Sequence, residues 1–490
     1  MATQRLSRAP LLSPLAVVAC VTLARLIVSA FHPVTEDEAY YWTWSLHPAF
    51  GYVDHPPMVA WLIWSTTLLP HTAFFVRLPF VVCEAVAALA AGAAAREMSG
   101  SARSALVAAT LVVFIPNVKL MIGEALPDPP FLMFWALGIL FAARAMRGGA
   151  PVDFVLLGIA VAGAMLSRAF GWALLAGVGA TFLTGPRDQR APRAFAVSCA
   201  VTLALVAPWI AWNATHDWVN VLFTVRDRQG FRSVSATHAF NNMTVRFLIF
   251  DAAFIALAYL VTVRRRYPLL AWTALPFPLA LGILAFPQTV EVYWLLGPAI
   301  SLFVGLGIAG RSAQAWWGRA ATGVWIAAGV GSFLVVAFAA LPESVQAAML
   351  RNPAVGGSAY SPAYAYARVA RDVGQRAGAR DSAILSDRYE ITSQFQLFGV
   401  DAAIVDDVPQ RRQWHLWNRD RGVPERAMYV STEPLSSNPA LERRLEDVYE
   451  RSEPGGELDY GFAGKPAFRF YVTWFSQPRA GSAPAELYGP

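Results

Sequence analysis

Thr35-Glu36-Asp37-Glu38-Ala39-Tyr40-Tyr41-Trp42, followed by Gly51-Tyr52-Val53-Asp54-His55-Pro56-Pro57-Met58, stands directly after the first long apolar run of the chain. Four carboxylates, a histidine and a knot of aromatics are gathered within about two dozen residues of a membrane surface, if that run crosses a bilayer as its length predicts. The reading of the whole chain turns on that condition.

Composition meets it. Of 490 residues, 56% are hydrophobic and 15% charged, and the mean hydropathy is +0.42. A soluble protein carries about a quarter charged residues. Apolar runs near the roughly 20 residues that a spanning helix needs recur from Leu11 to about Leu341. The net charge of +6 does not point to nucleic acid, because the arginines fall in short clusters between apolar runs. That is the pattern of loops that set membrane topology. Cys20, Cys83 and Cys199 all lie inside apolar runs, so no disulfide framework is readable.

The expected spans are 11–31, 73–95, 104–118, 128–143, 152–167, 170–184, 194–212, 245–263, 268–286, 292–309 and 320–341. Arg5 and Arg8 put the N-terminus in the cytoplasm by the positive-inside rule. Alternation then predicts inside loops at Arg96/Arg103, Arg144/Arg147, Arg187/Arg190/Arg193, Arg264–Arg266 and Arg311/Arg319, and each of these loops is arginine-bearing. Eleven crossings leave residues 343–490 outside, in a periplasm. The first run also resembles a cleavable signal peptide, ending in Val28-Ser29-Ala30. Arg25 inside it and its length favour an uncleaved helix. The two halves of the expected architecture are a polytopic all-α membrane domain, 1–342, and a small α/β domain, 343–490.

Sorted by face, the chemistry collects on the outward side: Asp37, Glu38, Asp54, His55, Lys119, Glu124, Asp128, Arg168, His216, Asp217, Arg226, Asp227, Arg228 and Glu291. Charges near the hydrocarbon are costly and tend to line functional cavities. Asp37 and Glu38 are neighbours on an expected helix over 37–47 and point about 100° apart, so they serve different partners. One is suited to take a proton from an incoming hydroxyl, the other to hold a sugar or a cation. Glu36 reads as a helix-start charge. The aromatics read mainly as interfacial anchors, with Tyr41, Asp54 and His55 kept as substrate contacts. Met58–Leu69 is expected to lie as an amphipathic helix in the interface.

Asp128, in Pro127-Asp128-Pro129-Pro130, is either a helix cap or a functional acid; the local pattern does not separate the two. Lys119 is the only lysine of the membrane part, and Arg168 sits in a tight turn; both lie on the face where cations are disfavoured. Each alone reads as a snorkelling residue. Together they form a phosphate clamp, Arg by its planar fork and Lys as a point charge. His216 lies in Trp212-Asn213-Ala214-Thr215-His216-Asp217-Trp218, which suits carbohydrate or phosphate contact or an interfacial segment equally, and Arg228 follows it. There is no His/Cys spacing for a metal and no phosphate-cradling glycine loop. No cofactor is expected, and a divalent metal is left open. A nucleotide sugar would be on the wrong side of the membrane, whereas a lipid-phosphate-linked sugar is available there.

These motifs, with Phe134-Trp135-Ala136 after the proline-framed Asp128, resemble the bacterial glycosyltransferase family 39, of the protein O-mannosyltransferase and aminoarabinose transferase superfamily with the GT-C fold. They occur in order across the membrane part; the first two are the specific ones. The resemblance implies an inverting transferase that takes a hexose or pentose from a polyprenyl phosphate. Asp37 would be its base, Asp128 its second acid, and the bacterial inner membrane its location. Arg168 stands where many relatives carry lysine. The implied acceptor is lipid A, lipopolysaccharide core or another envelope glycan, with membrane lipids as surroundings and no nucleic acid.

The tail holds 19 of the 33 acidic residues and no long apolar run. Helix-like 364–377, closed by Gly378, strand-like 382–386, helix-like 389–398, strands 402–405 and 427–431, helix 441–450 and strand 468–475 predict the α/β domain. Gln413-Trp414-His415-Leu416-Trp417 reads as a packed aromatic cluster or as a shaper of acceptor access. The rival class is a transporter or flippase of lipid-linked sugars. No internal repeat or pair of interrupted spans supports it, and Glu84 and Asp251 are too few for a proton relay.

Overall fold

An apolar segment in lipid must satisfy its own backbone polar groups, and a helix does so within one segment. The computed structural model describes residues 13–66, 68–69, 72–184, 191–223, 267–277, 292–309, 316–342, 344–345, 363–405, 411–418, 421–462 and 465–488. Its helices are α1 (Pro14–Phe31), α2 (Glu36–Ser45), α3 (Met58–Trp64), α4 (Ala73–Ser99), α5 (Ala102–Val113), α6 (Val118–Ile122), α7 (Asp128–Met146), α8 (Pro151–Ser167), α9 (Trp172–Thr184), α10 (Pro192–Thr215), α11 (Val219–Leu222), α12 (Pro268–Ala274), α13 (Leu296–Ala309) and α14 (Trp316–Ala339). Among the described residues, α1, α4, α7, α10 and the Thr322–Ala339 part of α14 are long and apolar enough to cross a membrane. α5, α8, α9 and α13 are shorter apolar helices. The expected span 245–263 lies outside the described residues, and 268–286 is seen only as α12. The interfacial helix expected over 58–69 ends at Trp64.

Leu15, Leu23, Ile27 and Phe31 of α1, Leu203 of α10, and Val324 and Leu334 of α14 are each more than half exposed. So much uncovered apolar surface on long helices is a lipid-facing wall; the protein is membrane-embedded. Inside, contacts are made by small residues, with alanines 87, 88, 91, 94, 95, 108 and 109 in the α4–α5 core. Polar glue is local: Trp135 Nε1 donates to Ser301 Oγ at 3.0 Å, and Thr273 Oγ1 lies 2.9 Å from the same hydroxyl.

The chain divides into two compact units, and the division is not a single cut. The first comprises Met1–Ile27, His55–Val59 and Arg77–Leu334. The second comprises Val28–Asp54, Ala60–Val76 and Val335–Pro490. The segment after α1 is therefore built into the same unit as the C-terminal domain.

That domain contains α15 (Ala363–Ala379), β1 (Ala383–Ser386), α16 (Tyr389–Leu397), β2 (Ala402–Ile404), α17 (Arg411–Asn418), β3 (Arg426–Ser431), α18 (Pro439–Val448), β4 (Tyr449–Phe462), β5 (Lys465–Pro478) and α19 (Pro484–Tyr488). The five-stranded sheet runs β2-β1-β3-β5-β4. β1 is parallel to β2 and β3, while β3–β5 and β5–β4 are antiparallel. Period-two alternation gives the sheet two cores. Ile384, Met428, Val430 and Val472 pack with Val369, Ala370, Val373 and Ala377 of α15. Leu385, Ala427, Tyr429 and Phe475 pack with Leu441, Leu445 and Val448 of α18.

Two elements of this domain differ from their expected bounds. α15 runs through Gly378 to Ala379, and the left-handed residue beyond it is Asp381, at φ +48°. The helix expected over 441–450 ends at Val448, and Tyr449–Phe462 is an edge strand that hydropathy conceals: only Tyr449 and Leu458 of its described side chains are buried.

Candidate active site

In each unit the candidate groups are fixed by local structure. In the second unit, α2 begins with a capping box. Thr35 Oγ1 accepts from the Glu38 amide at 3.4 Å, and Glu38 Oε2 accepts from the Thr35 amide at 2.9 Å. The helix-start role expected of Glu36 is thus carried by Glu38. Glu36 instead accepts a hydrogen bond from Tyr366 Oη of α15 at 2.9 Å. Burial pushes the Glu36 carboxyl above its ordinary range, and the Tyr366 bond pulls it partly back. Asp37, between them, is half-buried on the first turn of α2.

The aromatics of this segment are not primarily lipid anchors. Tyr40, Tyr41, Trp42 and Trp44 are all buried. Trp44 stacks on Tyr52 with ring centroids 4.3 Å apart, and Tyr41 meets Trp44 edge-on at 5.1 Å. Tyr40 packs against Tyr389 at 4.7 Å and stacks on Trp414 at 5.7 Å. Trp417, next to Trp414, stacks on His47 at 4.5 Å. The Gln413–Trp417 motif is therefore a packed cluster, and its partners are the aromatics of the opening stretch. Burial, with Asp54 second, raises Tyr40 well above the ordinary phenol range, so its hydroxyl stays protonated. Asp54 itself is buried at the end of the segment.

In the first unit the sharpest feature is a buried ion pair: Arg168 Nη2 donates to Asp128 Oδ2 at 2.6 Å, with side chains 5% and 8% exposed. Asp128 is the first residue of α7, and no side chain caps that helix. Asp128 thus lies in the first turn of α7, one residue past the N-cap Pro127, and its ion-pair partner is Arg168. Arg168 sits where the chain breaks between α8 and α9, in extended backbone (φ −142°, ψ 138°), before the turn Ala169–Gly171. Gly171 allows that break: a Cβ there would lie 2.3 Å from the Met165 amide nitrogen.

Lys119, half-exposed on α6, has its Nζ 3.8 Å from Oε1 of the buried Glu124. Gly123 ends α6 in the left-handed region at φ +75°, and so turns Glu124 back toward Lys119. His55 is buried in this unit. His216 is engaged within its own helix end: its Nδ1 donates to the Trp212 carbonyl at 2.8 Å, and its ring stacks on Trp212 at 4.2 Å, at the close of α10. The two residues that follow, Asp217 and Trp218, hold φ of +55° and +56°, a strained turn for non-glycine residues. Arg226, Asp227, Arg228 and Glu291 lie outside the described residues. Among the described residues, no group of three or more His, Cys, Asp or Glu side chains is placed to hold a metal ion.

Sequence reasoning missed Tyr366, Tyr389 and Gln394, and named Gln413 only within its aromatic motif; the partners of all four in the opening segment are more than 300 residues away. It also left Arg25 and Glu84 as isolated oddities. They form a buried ion pair, and Arg25 also donates to the Val113 carbonyl at 2.5 Å.

The described chain is thus a bundle of apolar helices with a buried carboxylate–guanidinium pair, joined in sequence to a small α/β domain. Residues 54–212 match the family described as dolichyl-phosphate-mannose-protein mannosyltransferase, under half of the chain. The lipid A galacturonosyltransferase RgtD of Rhizobium johnstonii is 28% identical over 217 residues, which are 43% of this chain and 46% of that protein. The match thus spans less than half the length of that relative. The crystal structure of ArnT from Cupriavidus metallidurans in the apo state superimposes with a TM-score of 0.63 at 15% identity, over 93% of this chain and 96% of that one. ArnT bound to undecaprenyl phosphate gives 0.62 at 15% identity, over 93% and 97%. The fold is that of ArnT, and the matches together support the resemblance to the GT-C glycosyltransferases carried by the loop motifs.

Proposed function

We propose that the protein is an inverting glycosyltransferase that moves a sugar from a polyprenyl phosphate to lipid A or another envelope glycan on the outward face of the bacterial inner membrane. The observation that carries this reading is the Arg168–Asp128 pair, a cation buried in a helix bundle and held by a buried carboxylate. A guanidinium so held is suited to phosphate oxygens, which it can engage through two parallel N–H donors. Asp128 acts through Arg168, fixing its fork, and Lys119 supplies a second cation.

Asp37 takes the acceptor hydroxyl proton as that oxygen bonds to the anomeric carbon. The bond from that carbon to the phosphate oxygen breaks, and its electron pair leaves with the lipid phosphate. Growing charge there is where Arg168 and Lys119 act. Glu38 supports Asp37 by closing the capping box. Tyr41, Asp54, His55, His216 and Arg228 remain proposed contacts of substrate, with His216 and Tyr41 reached only after their structural roles are met. The transporter or flippase alternative draws no support from the comparisons: the matched family and RgtD are both transferases by name.

The test is transfer by the purified protein in nanodiscs from undecaprenyl-phosphate sugars to lipid A, read by mass spectrometry. Asp37→Asn is expected to abolish product while the protein stays folded. Near-normal product from Asp37→Asn sinks its role as base. Unchanged lipid A in a deletion strain redirects the search to another acceptor.

A further inference from the structure

Three contacts in the second unit share one property: a side chain of the C-terminal domain grips the segment Val34–Val53 by its backbone or by a residue flanking Asp37. Gln394 Nε2 of α16 donates to the Val34 carbonyl at 3.1 Å. Tyr366 Oη of α15 donates to Glu36 Oε1 at 2.9 Å. Gln413 Oε1 of α17 accepts from the Val53 amide at 3.0 Å. Gln394 is fully buried and Gln413 nearly so, so neither bond is exchanged with water at no cost. Between these holds, Tyr40 lies against Tyr389 and Trp414.

We propose that Tyr366, Gln394 and Gln413 are positioning residues: they hold the segment that bears Asp37 at both of its ends, so that the C-terminal domain sets where that carboxylate stands. The functional half of this statement rests on Asp37 being the base. α2 is only ten residues long, and it starts on a capping box made within its own first turn. A helix shorter than about 12–15 residues is marginal by itself. Its position is therefore set by what it packs on. Three hydrogen bonds of fixed polarity and one aromatic sandwich define both ends of the segment.

The polarity gives the test. Gln394 donates, so Gln394→Leu removes the donor to the Val34 carbonyl. Gln413 accepts, so Gln413→Leu removes the acceptor, whereas Gln413→Glu keeps one whether charged or neutral. Each variant of the full chain is measured in nanodiscs by amide exchange of peptides covering 34–54 and by steady-state transfer. Gln394→Leu and Gln413→Leu are expected to speed exchange of 34–54. They should lower kcat by about tenfold to a hundredfold, the loss that an ångström of misplacement brings. The KM for the polyprenyl-phosphate donor is expected to hold, and Gln413→Glu should stay near wild type in both readouts. Unchanged exchange in Gln394→Leu and Gln413→Leu overturns the grip. Faster exchange with unchanged kcat overturns its role in positioning, as does an equal loss in Gln413→Glu and Gln413→Leu. If the wild-type protein transfers no sugar, the reading of the protein as a transferase fails, and the grip is still judged by exchange.

Discussion

Arg168→Ala is the sharpest perturbation that the structure offers. The guanidinium nitrogen and the Asp128 oxygen are 2.6 Å apart, and both side chains are over nine-tenths buried. Two unit charges at that separation attract by roughly 6 kcal/mol at an effective dielectric of about 20. Desolvation of both ions offsets most of that, so the intact pair adds little net stability. Removing one partner is another matter, because Asp128 is left as a buried charge, at a cost of about 3–5 kcal/mol. The double variant Arg168→Leu/Asp128→Leu removes both charges and is expected to regain most of that loss, a large coupling that a double-mutant cycle reads directly. Transfer activity, in contrast, should be lost in the single and double variants alike. Arg168→Lys should keep part of it, having the charge without the fork. Unfolding of the purified protein by SDS titration in mixed micelles gives the stabilities, and the nanodisc assay gives the rates. If Arg168→Ala costs no more than the ~1 kcal/mol of an exposed pair, the pair is not desolvated and the reasoning fails. If the double variant transfers sugar at the wild-type rate, the pair is only structural.

Tyr366→Phe should destabilise the second unit by about 1.5–3 kcal/mol at neutral pH, since it removes a bond to an ionised group. Burial already raises Glu36 above the ordinary carboxylate range, and the Tyr366 bond is what lowers it. A carboxyl with a raised folded value gives stability at low pH that is lost as pH rises through that value. Removing Tyr366 raises it further, so the defect should shrink in thermal melts as the pH falls toward that range. A defect independent of pH would contradict this. Gly123→Ala forces a left-handed φ on a side chain and sets its Cβ 2.2 Å from Val81 Cγ2. It should cost about 1–3 kcal/mol and, by displacing Glu124, alter the salt dependence of donor binding. Trp44→Ala empties a fully buried stack on Tyr52 and should cost about 3–5 kcal/mol in the same melts. Glu84→Gln and Arg25→Ala should both be costly in SDS unfolding, at about 3–5 kcal/mol, because each leaves the other partner's charge buried and uncompensated, with Gln keeping only a neutral acceptor for the arginine.

Most of the membrane part was legible because lipid makes sequence speak plainly: an apolar run near 20 residues has few structures open to it. The C-terminal elements were legible where an apolar face alternates or repeats, as in β3 or α15. They were not where β4, with Pro454, Gly455 and Gly456, pairs along an exposed edge. At the site, residue types narrowed the candidates without assigning their roles. Glu36 and Glu38 are two positions apart and nearly equivalent on paper, yet one meets Tyr366 and the other closes a cap. His216, chemically inviting, spends its Nδ1 on the carbonyl of its own helix.

The sequence by itself determined that this chain lives in a bilayer, where most of its helices fall, and which charged residues are out of place there; these are local properties of composition and period. Only the tertiary structure decided that Asp128 answers Arg168, 40 residues on, and that the Tyr-Tyr-Trp stretch packs on side chains more than 300 residues away. The physical reason is that hydrogen bonds, ion pairs and ring contacts act over a few ångströms of space, and separation along the chain carries no information about them until the backbone has brought the partners together.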